Sequence, residues 1–199
     1  MAEMGVMVVE LRRYRTHPGA RDDLIELFER EFIEPQEAAG AAILGQFRDL
    51  DDPDRFVWLR GFRDMRSRRA ALETFYSGPV WREHRDAANR TMVAWDDVLL
   101  LRMPEPAVFD TGARAPLGSP VPATTINMLI QYSDAPPPTP TTPSALVTEY
   151  AENDYPALPV RTGVHAIVAW SDGPIDDSTL PPGRTERMRL APTARSWLR

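Results

Sequence analysis

The sequence predicts an α+β protein: a ferredoxin-like βαββαβ unit over residues 1–103, a linker over 104–122, and a degenerate four-stranded antiparallel repeat without helices over 123–199. Three observations predict it. Runs rich in β-forming residues alternate with two helical stretches in the first hundred residues. A Pro-, Gly- and Ala-rich stretch, PEPAVFDTGARAPLGSPVP, follows. Beyond it, strand-like segments return in the same order, with proline-rich sequence where both helices should stand.

VMVVELRRY (Val6 to Tyr14) is the first strand, alternating after Val9. His17-Pro18-Gly19 opens a helix, with Thr16 or His17 at its cap and Pro18 in its first turn. Leu24, Leu27, Phe28 and Phe32 form its apolar stripe, and Gly40 ends it. AILGQFRDL and DRFVWLRGF are strands joined by the turn cluster DDPD. A helical region from about Met65 to Trp95 is broken at Gly78-Pro79, where Ser77 or Gly78 caps a new helix. DDVLLLRM is the closing strand. This order is the split βαβ arrangement, with both helices on one sheet face and the other face in need of cover.

In the second part, TTINMLIQY resembles the first strand, LVTEYAENDYP aligns without a gap to ILGQFRDLDDP, GVHAIVAW stands for RFVWLRGF and RMRLAP for LLLRMP. Each helix is replaced by a shorter stretch, SDAPPPTPTTP and SDGPIDDSTLPPGR. Eleven residues in polyproline II conformation reach about 34 Å, more than the return path along one strand needs. The stripped sheet then has a face carrying Met128, Ile130, Tyr132, Ile167 and Ala169, to be covered by the first unit, a second chain or the folded-back linkers. A homodimer is the expected solution.

The absences narrow the chemistry. There are no cysteines, which removes thiol nucleophiles, disulfides, iron–sulfur clusters and cysteine-based zinc sites. All 23 basic residues are arginine, which removes a Schiff-base lysine and a P-loop. A net charge of −6 argues against nucleic-acid or anionic-membrane partners. No apolar run is long enough for a membrane span, and no export signal opens the sequence, so a cytoplasmic location is expected.

VELRRYRTHPG, DDPDRFVWLRGF and FYSGPVWREHRDAANRTM together resemble the bacterial branch of the NIPSNAP family, closely over residues 6–103. The final RLAPTARSWLR resembles the tail of such proteins. The resemblance implies the dimeric α/β-barrel superfamily, in which two ferredoxin-like sheets pack face to face. Members of that superfamily include cofactor-free monooxygenases and cyclases of aromatic polyketides, and haem-binding proteins. It implies no single chemistry.

Alternation puts Val8, Glu10, Arg12 and Tyr14 on one face of the first strand, and Phe56, Trp58, Arg60 and Phe62 on one face of the third. With the aliphatic faces under the helices, Glu10, Arg12, Gln46, Trp58 and Arg60 would point into the barrel. Two arginines against one glutamate leave positive charge for a ligand carboxylate, phenolate or enolate. Trp58 and Tyr14 offer flat surfaces for an aromatic body. The competing reading is an internal Arg–Glu network that only fixes the sheets.

Trp81, His84, Ala88 and Met92 recur at helical spacing, so His84 lies on an apolar stripe, as a hydrogen-bonded core residue or as a general base. Tyr76, His84 and Asn89 become site residues if the broken helix caps the barrel mouth. The expected site is therefore His84, Glu10 and Tyr76 for catalysis, with Arg12, Tyr14, Gln46, Trp58, Arg60, Trp81 and Asn89 for binding an aromatic or anionic small molecule. No metal is expected: His17 caps a helix, His165 faces solvent, and no HxH or HxxxH pair occurs. No cofactor is expected, with haem on His84 as the alternative. The expected activity is a cyclase, isomerase or cofactor-free monooxygenase of secondary metabolism, against a non-catalytic ligand-binding or scaffold protein of the same fold.

Overall fold

In the computed structural model of the chain, the described residues are 3–110, 114–138, 145–178, 180 and 182–199. The elements are β1 (Glu3–Thr16), α1 (Arg21–Leu27), a π-helical turn (Phe28–Phe32), α2 (Ile33–Ala38), β2 (Ala42–Asp49), β3 (Arg55–Phe62), α3 (Met65–Tyr76), α4 (Pro79–Thr91) and β4 (Met92–Asp110). Four strands follow with no helix among the described residues: β5 (Ile126–Ser133), β6 (Ala145–Thr148), β7 (His165–Ser171) and β8 (Thr185–Pro192).

The strands close one barrel within a single chain, in the order β1-β3-β2-β8-β5-β7-β6-β4. Cut at its two seams, the barrel gives β4-β1-β3-β2 and β8-β5-β7-β6, the same order twice. The repeat read from the sequence is therefore a repeat of topology. The β2–β8 seam pairs Phe47 with Pro192 and Asp49 with Leu190, and the β4–β6 seam pairs Leu101 with Thr148. Closure does not need a second chain.

Local chemistry explains most boundaries. Asp64 caps α3 by accepting from the Ser67 amide at 2.7 Å. Gly78 caps α4 with Pro79 in its first turn. Gly40, at φ 102°, ends the first helical run in a conformation that costs glycine little. Two boundaries depart from expectation. Neither Thr16 nor His17 caps α1. Thr16 is the last residue of β1, bonded to the Asp54 carbonyl, His17 sits in an exposed turn, and α1 starts at Arg21. The stretch read as linker from 104 is strand up to Asp110, because Val6, Gly5, Met4 and Glu3 continue the β1–β4 ladder. Part of that linker (111–113), part of SDAPPPTPTTP (139–143) and positions 179 and 181 of SDGPIDDSTLPPGR lie outside the described residues.

The two sheet faces are the reverse of expectation. The barrel interior is aliphatic, with Val9, Leu11, Val57, Leu59, Leu99 and Leu101 meeting Met128, Ile130, Tyr132, Val168 and Leu190. Glu10, Arg12, Gln46, Trp58 and Arg60 instead face the helices: Glu10 lies opposite Arg60, Arg12 and Gln46 opposite Trp58, and Trp58 packs with Phe28 and Phe32 of the π-turn. Directly opposed residues share a face. An eight-stranded barrel is only wide enough for side chains to fill, and its inner walls here are mostly apolar, with Arg13 bonded to Glu186, Asp97 and Tyr132 at one end. Buried charges need partners, and the helices supply them as Arg68 and Gln36.

The stripped sheet differs in the same way. Met128, Ile130 and Tyr132 are interior, opposite Trp170, Val168 and Ala166, whereas Ile167 and Ala169 lie on the outer face. Tyr132 thus does not repeat the orientation of Tyr14, which faces the helices; the second copy is out of step by one residue. The outer face is partly covered from within the chain, where Leu180 packs on Ala145, Val147 and Ile167.

Candidate functional site

A cavity of about 350 Å3 lies between the helices and the outer face of the first sheet. Tyr14 and Trp58 come from the sheet, Phe28, Phe32 and Gln36 from the first helical run, and Phe75, Tyr76, Trp81, Ala88 and Asn89 from α3 and α4. Met92 and Trp95 open β4 beside it, and Tyr155, Ala157 and Leu158 arrive from the second half. Five expected residues, Tyr14, Trp58, Tyr76, Trp81 and Asn89, therefore converge, at the helix–sheet layer rather than inside the barrel.

The aromatic wall is built by edge-to-face packing. Phe28 meets Trp58 at 4.8 Å between centroids, Tyr76 meets Trp81 at 4.8 Å, and Tyr14 meets Trp58 at 5.7 Å. The π-turn places Phe28 and Phe32. Pro35 has no amide hydrogen to donate and its ring crowds the preceding turn, so a regular α-helical ladder is interrupted there.

Under this wall is a buried charge cluster. Glu10 accepts from Arg12 at 2.7 Å, Arg60 at 2.8 Å and Arg68 at 2.6 Å. Burial alone would raise the Glu10 carboxyl, but Arg60, Arg12 and Arg68 together hold it far below the usual carboxylate range. Arg68 continues outward to Asp154 at 2.7 Å and Asn153 at 3.1 Å. Three guanidinium groups thus face two carboxylates, Glu10 and Asp154.

The cluster reaches the cavity through two phenols. Arg12 Nε donates to the Tyr14 hydroxyl at 2.9 Å, and Arg60 Nη1 donates to the Tyr76 hydroxyl at 3.4 Å. Each oxygen accepts from a cation, so each phenol keeps its own proton to donate elsewhere. Burial pushes the Tyr14 phenol up, with Arg12 opposing, so it stays protonated at neutral pH. Arg60 also lies 5.2 Å from the Trp58 ring centre. Trp58 Nε1 and Arg12 Nη2 are buried donors with no acceptor among the described residues.

The remaining expected residues lie elsewhere. Glu10, Arg12 and Arg60 support the cavity from behind without lining it. Gln46 is fully buried with no side-chain partner among the described residues, away from the cavity wall. His84 is half-buried on α4, 3.5 Å from Glu31 and edge-on to Phe32, also outside the wall. His165 bonds the exposed Tyr150 hydroxyl at 2.8 Å. Among the described residues no group of three or more histidine, aspartate or glutamate side chains could hold a metal. No helix among them is long and apolar enough to cross a membrane.

Sequence reasoning missed Arg68, Gln36 and the residues from the second half. Arg68 had a signal: with Ala71, Leu72 and Phe75 it follows the apolar spacing of α3. Gln36 extends the Phe28–Phe32 row by one more turn. Nothing in NDYPAL announces where that loop lies.

Residues 9–104 match the family model described as NIPSNAP. Solved structures resemble about half of the chain. A NIPSNAP family protein of unknown function from Agrobacterium tumefaciens has 20% identity, covering 49% of this chain and 87% of its own, at a TM-score of 0.45. An uncharacterized NIPSNAP-like domain protein from Burkholderia xenovorans has 23% identity, covering 57% and 89%, at 0.42. A protein from Chloroflexus aurantiacus, provisionally named an antibiotic biosynthesis monooxygenase, has 22% identity, covering 47% and 89%, at 0.39. No curated protein matches the chain.

Proposed function

This chain belongs to the NIPSNAP family through residues 9–104, and from that premise we propose that it is a small-molecule enzyme working without a tightly held cofactor on an aromatic or polyketide-like substrate. The observation that carries this reading is the pair of arginine-backed phenols, Tyr14 and Tyr76, in the wall of an aromatic cavity of about 350 Å3. The volume falls in the range of roughly 300–1,000 Å3 usual for small-molecule sites. Planar rings pack on Trp58, Phe28, Phe32 and Trp81. Tyr14 and Tyr76 donate to a substrate oxygen, and they favour its anionic form because Arg12 and Arg60 stand behind them. An enolate or phenolate held in this way is the species that cyclises, isomerises or meets dioxygen.

Among the described residues the cavity wall holds no carboxylate or imidazole. The substrate must therefore carry a proton acidic enough to leave once its oxygen is held, without a positioned base. The same observation favours a second reading, in which the pocket binds a ligand and does no chemistry.

The test is a panel of hydroxylated naphthalenes and anthrones incubated with the protein in air and followed by mass spectrometry. Gain of one oxygen atom, loss of one water, or a new isomer at unchanged mass, each suppressed in Tyr14→Phe and Tyr76→Phe, supports the enzyme. Retention of a compound without turnover favours the binding protein. Neither retention nor turnover across the panel refutes both.

A further inference from the structure

We propose that the segment from Glu149 to Arg161 is the entry gate of the cavity and sets its preference for flat ligands. This rests on the cavity being a ligand site.

The segment has the form of an Ω-loop. It leaves and returns to the same strand: the Glu149 amide donates to Leu100 of β4 at 2.9 Å, and the Arg161 amide donates to Val98 at 2.8 Å. Its ends are thus pinned two residues apart. Between them it is bonded to itself. Asn153 Oδ1 accepts from the Tyr155 amide at 3.2 Å, Asn153 Nδ2 donates to Leu158 at 2.9 Å, and the Leu158 amide donates to Tyr155 at 3.1 Å. A loop closed at its neck and bonded within itself moves as one body about its two ends.

Its position gives that body a task. It comes from the helix-free half, yet Tyr155, Ala157 and Leu158 line the cavity of the helical half. The Tyr155 ring faces the Tyr76 ring at 24° with 6.1 Å between centroids, so the two halves present nearly parallel aromatic faces. Lifting the loop parts these two faces, and a planar molecule is the occupant that can then stack on both. One side chain latches the loop to the helical layer: Arg68 of α3, fully buried and anchored below on Glu10, holds Asp154 and Asn153 above. The Asp154 side chain is 25% exposed, so this bond lies at the rim where opening would begin.

The test uses 1-anilinonaphthalene-8-sulfonate, an anion with a flat naphthalene ring that brightens in apolar pockets, in stopped-flow fluorescence on the full chain. Asp154→Asn should raise the association and dissociation rate constants together, each by about tenfold, because a charge-assisted bond is weakened on the way in and out alike. The dissociation constant should change much less. Tyr155→Ala should reduce the preference for naphthalene-2-sulfonate, which is flat, over adamantane-1-carboxylate, which is not, each measured by displacement of the fluorescent probe. Ala88→Phe, which fills the cavity from α4, should abolish probe binding. Should circular dichroism show that variant unfolded, Asn89→Trp replaces it on the same wall. Binding that survives the filled cavity, or no binding by the wild type, overturns the pocket reading and the gate with it. Binding lost on filling but with unchanged rate constants in Asp154→Asn and unchanged preference in Tyr155→Ala overturns the gate alone.

Discussion

Glu10 has the most partners of any side chain beneath the cavity. Its two oxygens meet three arginines in a fully buried setting. Removing its charge leaves Arg12, Arg60 and Arg68 repelling one another with Asp154 as the nearest counter-charge. Glu10→Gln should therefore cost about 3–5 kcal/mol in urea denaturation at neutral pH. Acid gives an independent check. The folded carboxyl is held below its ordinary value of 4.5, so as pH falls the unfolded chain takes up that proton first. The stability Glu10 contributes is present above pH 4.5 and is lost on further acidification. The gap between wild type and Glu10→Gln should narrow below that pH; a gap that stays constant would mean that the carboxylate is not what the arginines require. At this scale the sequence was half legible. Alternation showed that Glu10, Arg12, Tyr14, Trp58 and Arg60 act together, because a strand's period fixes which residues share a face. It did not show which way that face looks, because that depends on Arg68, a partner far along the chain and on another element.

The first helical run shows what an element-level reading catches and misses. Its apolar stripe and its stop at Gly40 were legible, since both are local. The π-turn was not, although Pro35 marks where the ladder breaks. The carbonyl of Glu29 inside that turn is taken by Arg195 from the C-terminal tail, whose side chain also pairs with Glu34 and whose amide donates to the Glu29 carboxylate at 2.8 Å. The tail thus fixes the segment that carries Phe28 and Phe32 into the cavity. Arg195→Ala should cost about 1.5–3 kcal/mol, the range for hydrogen bonds to charged groups. Amide exchange should accelerate at Phe32 and Ile33 more than in α3. Uniform acceleration along all helices would instead mean that the tail stabilises the fold as a whole and has no particular hold on the π-turn. This coupling joins residues 29 and 195, and no sequence period links them.

At the scale of the molecule, the repeated strand order explains how one chain makes a closed barrel. Each half has an apolar inner face and two free edges. In the intact chain the edge strand β2 joins β8, and β4 joins β6, which are its topological counterparts crossed over. A two-fold axis between two copies of the first half would make the same joins. The repeat was legible because strand order and turn residues survive the loss of helices. The expectation of a second chain came from an uncovered sheet, and here that inner face is covered by the other half. Residues 1–110 produced alone should therefore be unable to stay single. Val9, Leu11, Val57, Leu59, Leu99 and Leu101, now in the barrel core, would form one exposed apolar sheet face. Sedimentation should find this fragment at twice its chain mass and the full chain at its single-chain mass of 22.4 kDa. The fragment also lacks the Ω-loop, so its cavity should exchange 1-anilinonaphthalene-8-sulfonate faster than the full chain does. A fragment that is soluble and single would mean that the inner face is not what holds the halves together. A full chain at twice 22.4 kDa would place a second copy on the outer surface, since the edges and inner faces are already used within one chain.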